Sequence, residues 1–229
     1  MSISTANKDI RTHGYVIRRT NYGEADRILN IITPSGKMTV MARGVRKEKS
    51  KLAGSVELFS LTDFVIHFGK GDMGVLTGAR MLNYYGNILK SFDRMELAGQ
   101  ILKKISIAAD SSDNSDYYSI VDQSLRALND GMRINIIEGW FWLNLMKAMG
   151  EEANLYRDSN GEKLLEQSRY NYDVAEGCFA MNPNGLYGAD EIKFLRLLSS
   201  ADLSVITRVK NVDKVLDNAM GLVRILAKK

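Results

Sequence analysis

From Ile10 to about Tyr85 apolar and polar residues recur in short β-rich runs with turn residues between them, the two-residue period of strands whose faces look in opposite directions. Five runs can be counted, over residues 13–21, 27–33, 37–43, 58–68 and 74–83. In the fourth, Phe64, Ile66 and Phe68 alternate with Thr62, Val65 and His67, which turns an aromatic face toward a core. Thr33-Pro34-Ser35-Gly36 between the second and third runs predicts a hairpin turn, since proline fixes φ and glycine permits a positive one. Five short strands with glycine at the corners fit a small Greek-key barrel of the OB type better than a sandwich, which needs about seven.

After Tyr85 the period lengthens to about 3.6 residues. Leu97, Ile101, Ile105 and Ala108 form one stripe of a helix over 87–109. A polar loop at 110–115 leads to a helix over 116–129, which Asn129-Asp130-Gly131 stops. Residues 133–149 are apolar on nearly every side, with Ile134, Ile137, Phe141, Leu145 and Met149 on one face, as expected of a buried helix. Regularity fades over 150–188, where Asn-Gly and Asn-Pro pairs surround an apolar piece at 177–181 that predicts a small hairpin. Helical spacing returns over 189–198 and 212–227. The fold class expected is α+β in two domains: a five-stranded OB-fold β-barrel over 1–83, then an all-α domain over 84–229 with a small irregular insertion at 150–188.

The 229 residues are 45% hydrophobic and 25% charged, the balance of an ordinary globular chain. The longest apolar run, near Trp140 to Leu145, falls far short of the roughly 20 residues that span a bilayer, and no leader pattern stands at Met1. A cytoplasmic protein with no membrane contact is expected. Cys178 is the single cysteine and His13 and His67 lack ligand-spaced companions, so no metal is expected.

Charge is uneven along the chain. Residues 1–80 carry 13 Lys/Arg against 7 Asp/Glu, and the remaining 149 carry 18 against 20. The basic excess therefore lies in the predicted barrel and points toward a polyanion, although a lysine-rich solvated surface gives the same count.

Motifs for catalysis are weak. Gly69-Lys70-Gly71-Asp72-Met73-Gly74 matches the dinucleotide pattern G-x-G-x-x-G, but the fingerprint needs a helix at the third glycine and Val75-Leu76-Thr77 continues as strand, so a hairpin is expected. No P-loop occurs. Neither histidine sits in a nucleophile signature, and the carboxylates Glu24, Asp26, Glu151 and Glu152 read as solvated groups. The chain is not expected to be an enzyme.

The strongest local signal is Arg43-Gly44-Val45-Arg46-Lys47-Glu48-Lys49-Ser50-Lys51, with five cations and one carboxylate in nine residues. Such a loop after a strand can lay Arg43, Arg46, Lys47, Lys49 and Lys51 along a phosphate backbone, where counterion release favours binding without sequence preference. Arg18, Arg19, Arg27 and Lys37 on neighbouring strands extend the candidate DNA-binding stripe. A loop that merely confers solubility remains the other reading. For base stacking Tyr15, Tyr22 and Phe59 are candidates, each equally explained by core packing.

Gly14-Tyr15-Val16-Ile17-Arg18-Arg19, then Tyr22-Gly23-Glu24-Ala25-Asp26-Arg27, resembles the opening of the RecO family of recombination mediators. Leu29 to Gly36 resembles the family's hairpin. Ala42-Arg43-Gly44-Val45-Arg46 with Lys49-Ser50-Lys51-Leu52-Ala53-Gly54 resembles its basic block. The match is specific over about residues 14–82 and architectural beyond. The resemblance implies an OB-fold that binds single- and double-stranded DNA, a helical domain, strand annealing in DNA repair, and no nucleotide cofactor. It also implies partnership with RecR, engagement of the acidic C-terminal tail of single-stranded-DNA-binding protein, indirect action on RecA, and a nucleoid-associated place in the cytoplasm. Many members carry a four-cysteine zinc site where this chain has only Cys178. The expectation here is no zinc, with Phe179, Met181 and Tyr172 holding the hairpin.

For the acidic tail, Lys193 and Arg196 beside Phe194 and Leu197 form a candidate partner site, equally explained as an amphipathic helix burying its apolar face. A protein-interaction adaptor whose barrel docks a partner, with little direct DNA binding, is the alternative function.

Overall fold

The computed structural model describes residues 8–112, 114–207, 209 and 212–228. Five strands, β1 (Lys8–Tyr22), β2 (Asp26–Thr33), β3 (Gly36–Ala42), β4 (Ser60–Phe68) and β5 (Gly74–Tyr84), close into a barrel of order β1-β2-β3-β5-β4. Closure depends on the length of β1. Its first half pairs with β4, from Lys8 opposite Phe68 to Tyr15 opposite Leu61, and beyond a register shift between Val16 and Arg18 its second half pairs with β2. A bulge bends a strand and raises its twist, so one chain segment serves two neighbours. The last seam is parallel, Val40 to Gly74 and Met41 to Val75.

The alternation read in the fourth run is realised except at Thr62, which stands two residues from Phe64 and is buried on the same face. Phe64 and Ile66 are fully buried with Val16, Leu29, Ile31 and Val40, while Val65 and His67 are only half-buried. Thr33 pairs with Gly36 across the expected turn. Gly69 to Met73 connects β4 to β5 with no helix after it, as the strand reading required.

Two short 3-10 turns, Ala53–Ser55 and Gly86–Lys90, flank the later strands, and α1 (Phe92–Ser111) and α2 (Asp116–Asn129) follow. Contacts group the chain into two units, Met1–Asn129 and Asp130–Lys229. The change of period after Tyr85 thus marks the end of the barrel, while residues 84–129 group with it. The cause is visible in side chains: the buried Tyr15 hydroxyl on β1 meets the Tyr85 hydroxyl at 3.1 Å and Asp122 on α2 at 2.5 Å.

The second unit is built on α3 (Ile134–Ala148), with β6 (Tyr170–Asp173), β7 (Cys178–Met181), α4 (Ala189–Ser200), a single turn α5 (Leu203–Ile206) and α6 (Asp213–Leu226). Ile137, Trp140, Phe141 and Leu145 of α3 are buried, whereas Met149 lies beyond the helix and is exposed. The α3 backbone runs close to α6: a Cβ at Gly139 would meet the Met220 sulfur at 2.7 Å. Trp140 Nε1 donates to the Ala201 carbonyl at 2.7 Å, which supplies the partner a buried indole needs.

The insertion contains the predicted hairpin, but its clasp differs from expectation. Phe179 is fully buried and meets the rings of Tyr170, Tyr172 and Tyr187 edge-on, with centroids 6.2, 5.1 and 5.7 Å away. Met181 is 56% exposed and takes no part. Met181, two residues from Phe179, pairs with Tyr170 and so points to the same side, but it ends the strand and its side chain is left exposed. Tyr170 and Tyr187, which the local spacing does not single out, are brought to Phe179 by reciprocal backbone hydrogen bonds to each other.

Candidate nucleic-acid interface

The cations cluster where β3 ends. Val45, 2% exposed, joins the barrel core with Val56, and this apolar anchor folds the first part of the loop onto the barrel. Polar contacts fix it further. A carboxylate oxygen of Asp26 accepts the Gly44 N–H at 2.7 Å, and the Arg46 N–H donates to the Ala25 carbonyl at 2.8 Å. Gly44 holds φ +62°, a left-handed conformation that a side chain would strain. Successive turns follow, from the Lys47 N–H to Gly44 and from the Ser50 N–H to Lys47. With Val45 committed inward, Arg43, Arg46, Lys47, Lys49 and Lys51 all stand exposed.

The loop packs against the β1–β2 turn. Arg46 Nη1 donates to the Gly23 carbonyl at 3.1 Å, and Arg27 Nε donates to Asn21 Oδ1 at 3.2 Å. The Gly69–Met73 connection, with exposed Lys70, lies toward the other end of the barrel, because β5 runs parallel to β3 and β4 ends at Phe68 opposite Lys8, the start of β1.

The remaining cations of the sequence-predicted stripe lie elsewhere. Arg19 is paired with Glu57 at 2.7 Å. Lys37 sits beside the β2–β3 turn, about 17 Å further along β3 at the usual strand rise, and is paired with Asp110 of α1. Arg18 is exposed and, with Ile17, Leu58, Leu102, Lys103 and Ile107, lines a cleft of about 450 Å³ between β1 and α1. The structure therefore gathers Arg27, Arg43, Arg46, Lys47, Lys49 and Lys51 at one end and places Arg18 and Lys37 on the α1 side. Of the aromatic candidates, Tyr15 is 1% exposed and Phe59 9%, while Tyr22 is 56% exposed.

In the second unit Lys193, Phe194 and Leu197 line a cleft of about 370 Å³ together with Val212, Lys214 and Val215. Arg196 is turned away, donating to the Leu155 carbonyl at 2.8 Å and lying over the Tyr156 ring. Lys193 is paired with Glu166, whose carboxyl that ammonium holds below its ordinary value. Among the described residues no group of three or more His, Cys, Asp and Glu could hold a metal ion, and no helix is long and apolar enough to cross a membrane.

The barrel's residues 7–85 match the family model described as Recombination protein O N terminal. Over 205 residues the chain is 30% identical to the DNA repair protein RecO of Roseiflexus sp. (strain RS-1), covering 85% of this chain and 71% of that one. It is 28% identical over 215 residues to DNA repair protein RecO of Dehalococcoides mccartyi (strain CBDB1), covering 90% and 84%, and 28% identical over 207 residues to that of Bacillus pumilus (strain SAFR-032), covering 87% and 80%. The docked basic loop, the five-stranded barrel beneath it and identity extending through both units agree, and the chain belongs to the RecO family.

Proposed function

We propose that this protein acts in recombinational DNA repair as a non-catalytic mediator. It binds single- and double-stranded DNA at the loop end of the barrel, anneals strands and, with RecR, helps load RecA onto DNA coated by single-stranded-DNA-binding protein. The observation that carries this reading is the basic loop itself, whose five exposed cations are held in place by buried Val45 and the Asp26 carboxylate. A loop ordered before binding loses little freedom on contact. Crowded cations gain most from a polyanion, because each phosphate neutralised releases condensed counterions.

Arg27, Arg43, Arg46, Lys47, Lys49 and Lys51 form the principal contact, with Arg18, Arg19 and Lys37 contributing less because of their positions or partners. The cleft beside Lys193, Phe194 and Leu197 has the apolar floor and flanking ammonium groups that an acidic peptide tail requires, and is the proposed seat of the tail of single-stranded-DNA-binding protein. The adaptor reading has one observation on its side, since Phe92 at the start of α1 is 73% exposed with Leu89 and Met95 exposed nearby in sequence.

The test is fluorescence anisotropy of labelled single-stranded DNA across a salt series, with wild type and with Arg46, Lys47, Lys49 and Lys51 changed to Glu. Six phosphate contacts give the wild type a slope of log affinity on log salt of about −4.2 for single strands. The quadruple variant is expected to bind far more weakly with a shallower slope. Equal binding by the two proteins would move the site off the loop, and no binding by either would favour the adaptor.

A further inference from the structure

We infer that Tyr22 is a stacking platform for an unpaired nucleobase, so that the basic end of the barrel holds single strands by their bases as well as by their phosphates. The inference rests on the DNA-binding reading of the loop and adds a base contact to it.

A single exposed tyrosine is ordinary on a protein surface. What distinguishes Tyr22 is its setting. It closes β1 opposite Asp26, the residue whose carboxylate holds the basic loop through Gly44. Its two sequence neighbours each anchor a guanidinium: Asn21 accepts from Arg27 and Gly23 accepts from Arg46. The exposed ring is thus carried by the same turn whose adjacent residues, Asn21 and Gly23, position two guanidinium groups. Each anchoring bond occupies one of the five N–H donors of its arginine and leaves the others for phosphate oxygens.

Tyr15 and Phe59 are spent on the interior, and Tyr84, the other exposed tyrosine of the barrel, ends β5, a strand that the barrel order does not place next to β1 or β2 and their turn. An aromatic face beside cations that track the backbone is the combination by which single strands are held without sequence preference, since every base has a π-face. In a duplex those faces are already stacked on one another, so the ring gives no advantage there.

The experiment compares wild type, Tyr22→Ala, Tyr22→Phe and Tyr22→Trp on three labelled ligands of equal length: oligo-dT, an abasic strand of the same backbone, and a duplex. Tyr22→Ala is expected to bind oligo-dT about tenfold more weakly, the loss of one base–aromatic stack, with Phe and Trp restoring it. Binding of the abasic strand and the duplex, and the salt slope, should stay as in wild type. The inference is overturned if Tyr22→Ala weakens all three ligands alike or none of them, or if Phe and Trp fail to restore oligo-dT binding. Failure of the DNA-binding reading itself is separate, since it shows as a wild type that binds none of the three. As a second readout, bromodeoxyuridine placed in the strand should photo-crosslink to the peptide bearing Tyr22, and crosslinking confined to other peptides would also overturn it.

Discussion

The Tyr15 hydroxyl on β1 donates to the Asp122 carboxylate on α2 at 2.5 Å, and that carboxylate also receives both of its 2.9 Å contacts from Arg126 Nε. The pair ties the barrel to the helices that follow it. Tyr15→Phe keeps the ring in the core and removes only the donor. A hydrogen bond to a charged group contributes about 1.5–3 kcal/mol, so urea denaturation should show a loss of about 2 kcal/mol, with DNA binding unaffected.

Burial and the neighbouring carboxylate push the Tyr15 hydroxyl well above the ordinary tyrosine range, and burial, then the Asp122 charge, raises Tyr118 to about 12. Burial also raises Tyr172 and Tyr187. For an acid whose folded pKa is raised, the folded chain keeps its proton after the unfolded chain has lost it. The stabilisation is complete below the unfolded value of about 10 and declines as pH rises through the interval above it. Chemical denaturation midpoints should therefore be flat with respect to these groups up to about pH 9 and fall from pH 10 to 12, with a smaller fall in Tyr15→Phe.

Lys37 and Lys47 carry the same charge in different company. Lys37 is paired with Asp110 on the α1 side, whereas Lys47 stands exposed on the docked loop. Lys47→Ala should lower the salt slope for single-stranded DNA by about 0.7, one phosphate contact, while Lys37→Ala leaves it unchanged. Anisotropy titrations at four salt concentrations decide this.

Phe179 sits inside a ring of tyrosines, so its removal leaves a hole that rigid rings cannot fill. Phe179→Ala should cost about 3–5 kcal/mol, read as a lowered unfolding midpoint of the second unit with barrel DNA binding retained. With Cys178 as the single cysteine, a four-thiolate site cannot form within the chain, and EDTA should leave the melting temperature of wild type where it was.

How far the sequence disclosed this structure follows from which residues carry periodic information. Phe64 and Ile66 declare the inner face of β4 because a strand repeats the same demand at fixed intervals, and α2 falls between the polar loop and the Asn-Asp-Gly stop that bounded it in the sequence. Long-range pairing leaves no such repeat. Nothing in the spacing of Tyr15 and Asp122 shows that they meet, so the grouping of residues 84–129 with the barrel was hidden. The hairpin shows the same limit, since Tyr170 and Tyr187 join Phe179 only through the fold.

The candidate site was legible in part for the same reason. Five cations in nine residues are visible in any reading, and their exposure was foreseeable. That Val45 among them points inward, that Lys37 is occupied by Asp110, and that Tyr22 rather than Tyr15 or Phe59 remains outside are matters of register and closure. Phe59 adopts a left-handed backbone at φ 59°, which no propensity for phenylalanine suggests.

The docked loop divides its positions into two kinds. At Gly44 and Val45, and at Asp26 across the turn, geometry admits few substitutes, because a hydrogen bond, a positive φ and a filled core each set a separate condition. At Lys47, Lys49 and Lys51 the surroundings ask only for positive charge in water, whereas the guanidinium of Arg46 is also held by the Gly23 carbonyl. Lysine and arginine are thus interchangeable at those three lysines, so the loop's affinity for a polyanion is set by how many cations it displays, and its aim by residues that carry no positive charge at all.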